Sequence, residues 1–189
     1  LRLSTIGILQ YIAPTMIFLT AVFVFDGDIF HAFDRVSRSV VETFEAILAT
    51  LRSECEVVLV TGSHDTMLPA VAGGTVERYD RGGYTVVHGD RPVGDHGTLV
   101  IGHDHPAIEI DMARFPCFLY GEGVFGGKDL VVMPAYNPLS PGVTINHMQR
   151  RDFLSPILRR VDAGSLQPVV EVDGETVVIP PLAGSRRFA

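Results

Sequence analysis

Lysine is almost missing from this chain. Lys128 is the only one among 15 basic residues and the rest are arginine, a bias that suggests a GC-rich genome and an acidic, salt-tolerant surface. Cysteine is scarce as well. Cys55 and Cys117 stand far apart and fit no metal or redox spacing, which excludes a disulfide scaffold and makes a reducing, cytoplasmic setting the plain reading. Positive charge is outnumbered, 15 against 22, for a net charge of −7. Diffuse electrostatic binding to nucleic acid or anionic lipid is therefore disfavoured, and a phosphate-bearing substrate would need a local positive centre such as a metal. Repeats, low-complexity tracts and long linkers are absent. With 47% hydrophobic residues and a mean hydropathy of +0.27 the chain is neither disordered nor fibrous, and 189 residues make one domain with a sizeable core the default.

The excess hydropathy is concentrated in residues 6–25, IGILQYIAPTMIFLTAVFVF, an uncharged run of the length a transmembrane helix needs. A secretory signal fits poorly, because only Arg2 precedes the run and no small-residue cleavage site follows it. Two readings stand. The segment LSTIGILQYIAPTMIFLTAVFVF resembles a late helix of the drug/metabolite transporter permeases, which implies a membrane anchor. Alternatively, its β-branched and aromatic end, Ala21 to Phe25, is a buried parallel strand behind a poorly packed leader. Residues 1–25 are thus expected to be an apolar leader or transmembrane segment, and residues 26–189 the folded body. Leu1 in place of methionine leads us to expect a fragment or a wrongly assigned reading frame.

Beyond Phe25, strands and helices alternate and then give way to strands. Ser39 and Glu42 form an S-x-x-E capping box, and Val36, Val40, Val41, Phe44, Ile47, Leu48 and Leu51 keep one apolar face, predicting an amphipathic helix to about residue 52. VVLVT at 57–61, YTVVH at 84–88 and LVIG at 99–102 read as short buried strands, followed by AIEID at 107–111, PCFLY at 116–120 and LVVMP at 130–134. Asp173-Gly174 marks a hairpin. The expected class is a layered α/β domain whose sheet is partly antiparallel.

Four of these strand ends present metal-binding residue types: Gly27-Asp28, Gly62-Ser63-His64-Asp65, His88-Gly89, and Gly102-His103-Asp104-His105. Ligands of open α/β sheets gather beyond the carboxyl ends of strands, so the four can converge on one crevice if the strands are neighbours. In His103-x-His105 an extended backbone would put both imidazoles on one side. Each residue alone has a plainer reading. Asp28 suits a turn or cap, His88 a hydrogen-bonded strand end, and Asp65 the cap of a short following helix. It is their recurrence at four successive strand ends that points to metal chemistry. His96 and His147 lack such a setting and are expected at the surface.

The order GD, G-S-H-D, H-G and G-H-D-H resembles the calcineurin-like metallophosphoesterases. GDIFHAFDRV, HDTMLPAV, HGDRP, GHDHPAIEI and VVMPAYNPLSPGV are similar to an archaeal and DNA-ligase-associated branch of that family, over about residues 25–185. The resemblance implies a four-layer α/β/β/α sandwich and a two-metal site that hydrolyses phosphomonoesters or phosphodiesters, with nucleotides or nucleic acid as the substrate class. It further implies that Asp28 bridges the metals, that His88 and His103 bind one ion and His105 the other, that His64 protonates the leaving oxygen and that Asp65 orients it. Two such ions can share a hydroxide and offset charge on the phosphoryl oxygens. Mixed imidazole and carboxylate donors suit Mn, Fe, Zn or Co better than Ca.

Two departures accompany the match. Ser63 stands at a ligand position where the family has asparagine, and a hydroxyl is a shorter, weaker ligand. The family's first motif, Asp-x-His, should precede Asp28, yet no histidine occurs before His31 and the apolar run lies in its place. The body is therefore expected to lack its first strand-helix unit, leaving one metal site with Asp28 and His105 alone; His31 is either a substitute ligand or a solvated loop residue. Two functions follow as expectations. One is a metal-dependent phosphoesterase impaired by the missing motif. The other is a non-catalytic metal-binding remnant joined to a membrane segment.

Overall fold

The computed structural model describes residues 22–30, 36–137 and 140–185. Most of the apolar run, the leader and His31 lie outside these residues. The end of the run forms β1 (Val22–Asp26), which pairs in parallel with β2 (Glu56–Val60), Asp26 opposite Val60. Parallel pairing sends both chains out at the same edge, and this brings Gly27-Asp28 beside Gly62–Asp65. Helix α1 (Arg38–Glu54) makes the crossover. Its N-cap is Ser37, whose Oγ accepts from the Val40 amide at 3.4 Å, and not Ser39, which lies inside the first turn. Glu42 consequently pairs with Arg38 at 2.8 Å instead of closing a capping box. The predicted apolar face is only partly used. Phe44 and Leu48 are buried against Phe25 and Phe30, whereas Val40 and Ile47 are each 47% exposed.

The larger sheet follows the short helix α2 (Leu68–Ala72). It comprises β3 (Tyr79–Arg81), β4 (Tyr84–Val86), β5 (Thr98–Ile101), β6 (Pro106–Ile110), β7 (Ala113–Phe125), β8 (Lys128–Val132), β9 (Val143–Thr144), β10 (Gln167–Val172) and β11 (Glu175–Val178). The order is β11-β10-β7-β8-β5-β4-β3, with β6 bridging β7 and β9. Strands β4, β5 and β8 run parallel, so the segments after β4 and β5, which carry His88 and His103, emerge side by side. The remaining main pairings are antiparallel. Asp173 and Gly174 form the expected two-residue hairpin between β10 and β11, with φ of 52° and 80° as a type I′ turn requires. A four-residue helix, α3 (Leu182–Ser185), ends the described chain.

Two apolar clusters hold this mixed, sheet-dominated α/β fold together. The larger one gathers Leu99, Ile101, Leu119, Leu130, Phe153 and Leu158 with their neighbours around the large sheet. The smaller joins α1 and α2 to the β1-β2 pair through Phe30, Phe44, Leu48, Leu59, Leu68 and Ala72. Among the described residues no helix is long and apolar enough to cross a membrane.

Candidate metal centre

The exits of β1, β2, β4 and β5 meet where the two sheets touch. Asp28 leaves β1 with φ of 51°, a left-handed conformation uncommon outside glycine and found disproportionately at functional sites. Its carboxylate accepts from the His64 amide at 2.9 Å and lies 3.2 Å from His88 Nε2. His88 Nδ1 is 3.0 Å from the Asp26 carbonyl, which fixes the ring's orientation, and His103 Nδ1 is 3.0 Å from His88 Nε2. The two rings meet edge to face with centroids 4.9 Å apart. Donor atoms of Asp28, His88 and His103 all lie within 4.8 Å of one another. Gly62 makes room for this group, because a Cβ there would collide with the Asp28 carboxylate and backbone amide.

Electrostatics sharpen the contrast between these groups. Burial raises the Asp28 carboxyl, but the hydrogen bonds from His88 and the His64 amide, with the charges of both histidines, outweigh it and bring Asp28 down to about 2. Burial lowers His88, yet the bond to Asp28, the Asp26 carbonyl and the nearby carboxylates carry it up to about 9. His103 is pushed below the ordinary imidazole value by burial and then by the His88 charge. Without a cation, the pair is thus an imidazolium held by a carboxylate. One carboxylate and two imidazoles converging on one point is a donor set that suits a divalent transition metal, which would take the place of the proton on His88.

The other expected residues lie on the same loops. Asp65 is buried, and its oxygens accept from the Phe30 and Gly62 amides, both at 3.0 Å, tying the β1 and β2 exits together. His64 is half-buried beside it and Ser63 is exposed. His105 has φ of 44°, and its carbonyl accepts from Val143 at 2.8 Å; it is not part of the three-donor group. His147 is exposed as expected. His96 is not a simple surface residue, since its ring stacks on Phe125 at 5.1 Å and 24°.

Three supporting residues carry no role in the sequence reading, although Asp104 lies within its Gly102–His105 motif. Asp26 has both carboxyl oxygens buried without a hydrogen-bond partner, and burial, opposed by the His88 charge, raises it to about 8. Asp104, buried between His103 and His105, accepts from the Leu154 amide at 2.7 Å and the Ser155 amide at 3.1 Å. Ser155 Oγ in turn donates to the Gly89 carbonyl at 2.6 Å. A turn some 50 residues downstream thus clamps the two histidine-bearing loops. An aspartate ending an apolar run was the available signal for Asp26; no local signal marked Ser155.

The fold and these loops define a mixed α/β domain with a carboxylate–imidazole centre at the carboxyl ends of its strands. No family model matches the sequence, and no curated protein matches it. Among solved structures, the fold is similar to that of the Pseudomonas putida nuclease MPE, with a TM-score of 0.58 and 20% identity, over 84% of this chain and 70% of that one. At that identity the likeness is one of fold.

Proposed function

We propose that this protein is a metal-dependent phosphoesterase that hydrolyses phosphodiesters, with nucleic acid as its substrate class. The observation that carries the reading is the convergence of Asp28, His88 and His103 within 4.8 Å at the junction of the two sheets. The likeness in fold to a nuclease supports it. In this reading the phosphoesterase body takes in β1 from Val22 onward, ahead of the residue 26 expected from the sequence, and the two sheets with their helices are layers of an α/β/β/α sandwich of the calcineurin-like kind. Asp28, His88 and His103 hold a divalent cation, with Mn, Fe, Zn or Co suited to the donors, and His105 and Ser63 serve a second position. When bound, such a cation supplies Lewis-acid stabilisation of phosphoryl oxygens and a lowered pKa for bound water. His64, whose amide is fixed on Asp28, protonates the leaving oxygen, and Asp65 holds the His64 loop in place.

The test is hydrolysis of an aryl phosphodiester by the purified protein with added Mn²⁺, beside metal content and melting temperature. Wild type is expected to turn over the ester. The His103→Ala variant is expected to lose bound metal and roughly 10²-fold or more of the rate. A non-catalytic metal-binding domain would lose metal in the variant while showing no hydrolysis in either form. If hydrolysis is absent and the variant changes neither metal content nor melting, both readings fail.

A further inference from the structure

A chain with net charge −7 nonetheless concentrates positive charge in one place. Residues 149–162, QRRDFLSPILRRVD, carry Arg150, Arg151, Arg159 and Arg160, all exposed, against two acids, Asp152 and Asp162, the second lining one cavity with Arg150 and accepting from the Gly164 amide at 3.2 Å. The arginines sit on two short 3₁₀ turns, Arg150–Asp152 and Leu158–Arg160, that pack on each other. Asp152 offsets part of this charge: one oxygen accepts from the Gln149 amide at 2.8 Å and the other lies 3.7 Å from Arg151 Nε, a loose, exposed pair of the kind that contributes little and that a phosphate can displace. Arg159 is steadied by donating to the Phe153 carbonyl at 2.8 Å, and the Arg160 guanidinium lies over the Phe125 ring at 5.4 Å. Between the turns, Leu154 and Ser155 make the contacts to Asp104 and Gly89 that clamp the histidine-bearing loops. Arg151 is three residues from Leu154, so their Cα atoms are at most about 11 Å apart.

We infer that this arginine-bearing turn pair is a docking surface for the phosphate backbone of a nucleic-acid strand, which it aligns with the centre formed by Asp28, His88 and His103; the inference rests on the phosphoesterase reading. Each guanidinium can take one phosphate through two donors. Four of them on consecutive turns exceed what a single phosphate needs and match a ligand with phosphates in series. The acidic remainder of the molecule repels a polyanion, so the strand is steered to this face. Contacts of this kind carry no base information and bind any sequence.

Binding of a fluorescent oligothymidylate longer than roughly 16 nucleotides, followed by anisotropy over a range of salt with metal chelated, tests the surface without requiring turnover. Each phosphate contact contributes roughly 0.7 to the slope of log affinity against log salt for a single strand. The Arg150→Gln/Arg151→Gln double variant should lose roughly 1.4 from that slope, Arg151→Gln alone about half as much, and an oligoadenylate should behave like the oligothymidylate. Arg38→Gln/Arg52→Gln on α1 should leave the slope unchanged. The surface is overturned if wild type does not bind, if the 150/151 variants keep the wild-type slope, or if the α1 variant loses as much. Hydrolysis of the aryl phosphodiester by wild type separates the two claims. Turnover with an unchanged slope sinks the surface alone, while binding with the expected slope change but no turnover sinks the phosphoesterase reading.

Discussion

Asp26 and Asp28 are two carboxyls two residues apart that their surroundings drive in opposite directions. Asp28 meets an imidazolium and an amide and is held down at about 2; burial without a hydrogen-bond partner carries Asp26 up to about 8. Groups split in this way are a mark of functional sites. The cost falls on stability. The folded value of Asp26 lies above its ordinary 3.8, so the folded state keeps a proton that the unfolded chain releases. Its contribution is fully present below about 3.8 and is lost as pH rises through about 8. An Asp26→Asn variant has no such loss. In thermal unfolding of the metal-free protein, its stability relative to wild type should grow between about pH 4 and about pH 8, by at most ~1.4 kcal/mol per pH unit. A difference that stays constant with pH would show that Asp26 does not titrate in that range. An aspartate at a strand exit gives no warning of this, because its isolation is created by Gly102, whose missing Cβ lets the Asp26 carboxyl sit against the β5 exit.

The elements that matter are the loops leaving parallel strands, and Gly62 shows how tightly they are drawn. A methyl group there would enter the Asp28 carboxylate and amide. Gly62→Ala should therefore cost about 1–3 kcal/mol from overpacking and weaken metal binding at least tenfold, read by calorimetric titration of Mn²⁺. Gly94→Ala, where an added Cβ meets open space, should change neither. Equal effects of the two substitutions would disconnect Gly62 from the site. Much of this level was legible in the sequence. VVLVT, LVIG and LVVMP are apolar runs too short for helices, and each falls on a strand shifted by a residue or two. The helix start was misplaced because Ser37 and Ser39 are both competent caps and local pattern does not choose between them. The thirteen-residue span of β7 was hidden by Pro116, Gly121 and Gly123, which normally punctuate strands; here the register shifts between Gly121 and Phe125 and lets the strand continue. The histidine and aspartate motifs of the centre were legible because glycine marks each strand exit. The clamp from Ser155 to Asp104 was not, since partners 51 residues apart leave no spacing to read.

At the scale of the whole molecule, the centre is a joint between two cores. Asp28 belongs to the exit of β1, whose flanking Phe25, Ile29 and Phe30 pack in the smaller apolar cluster with α1 and β2, whereas His88 and His103 leave the large sheet. The smaller unit is thinly built: α1 buries only Phe44 and Leu48, and its Val40 and Ile47 remain nearly half exposed. Units with few buried contacts open at lower free energy than the core around them. Amides of β2 and α1 should therefore exchange with solvent faster than those of β5 and β8 in the metal-free protein. Opening the smaller unit pulls Asp28 away from His88 and His103, so a cation held by all three opposes that opening. A ligand at 100 times its dissociation constant stabilises the closed state by about 2.7 kcal/mol, and Mn²⁺ at that excess should slow exchange in β2 and α1 by about 100-fold. Hydrogen-exchange mass spectrometry with and without the metal decides it. If β2 and β8 already exchange at one free energy, the two cores are a single cooperative unit. If β2 and α1 exchange is insensitive to Mn²⁺, the cation is not held across the joint, and Asp28 is not among its ligands.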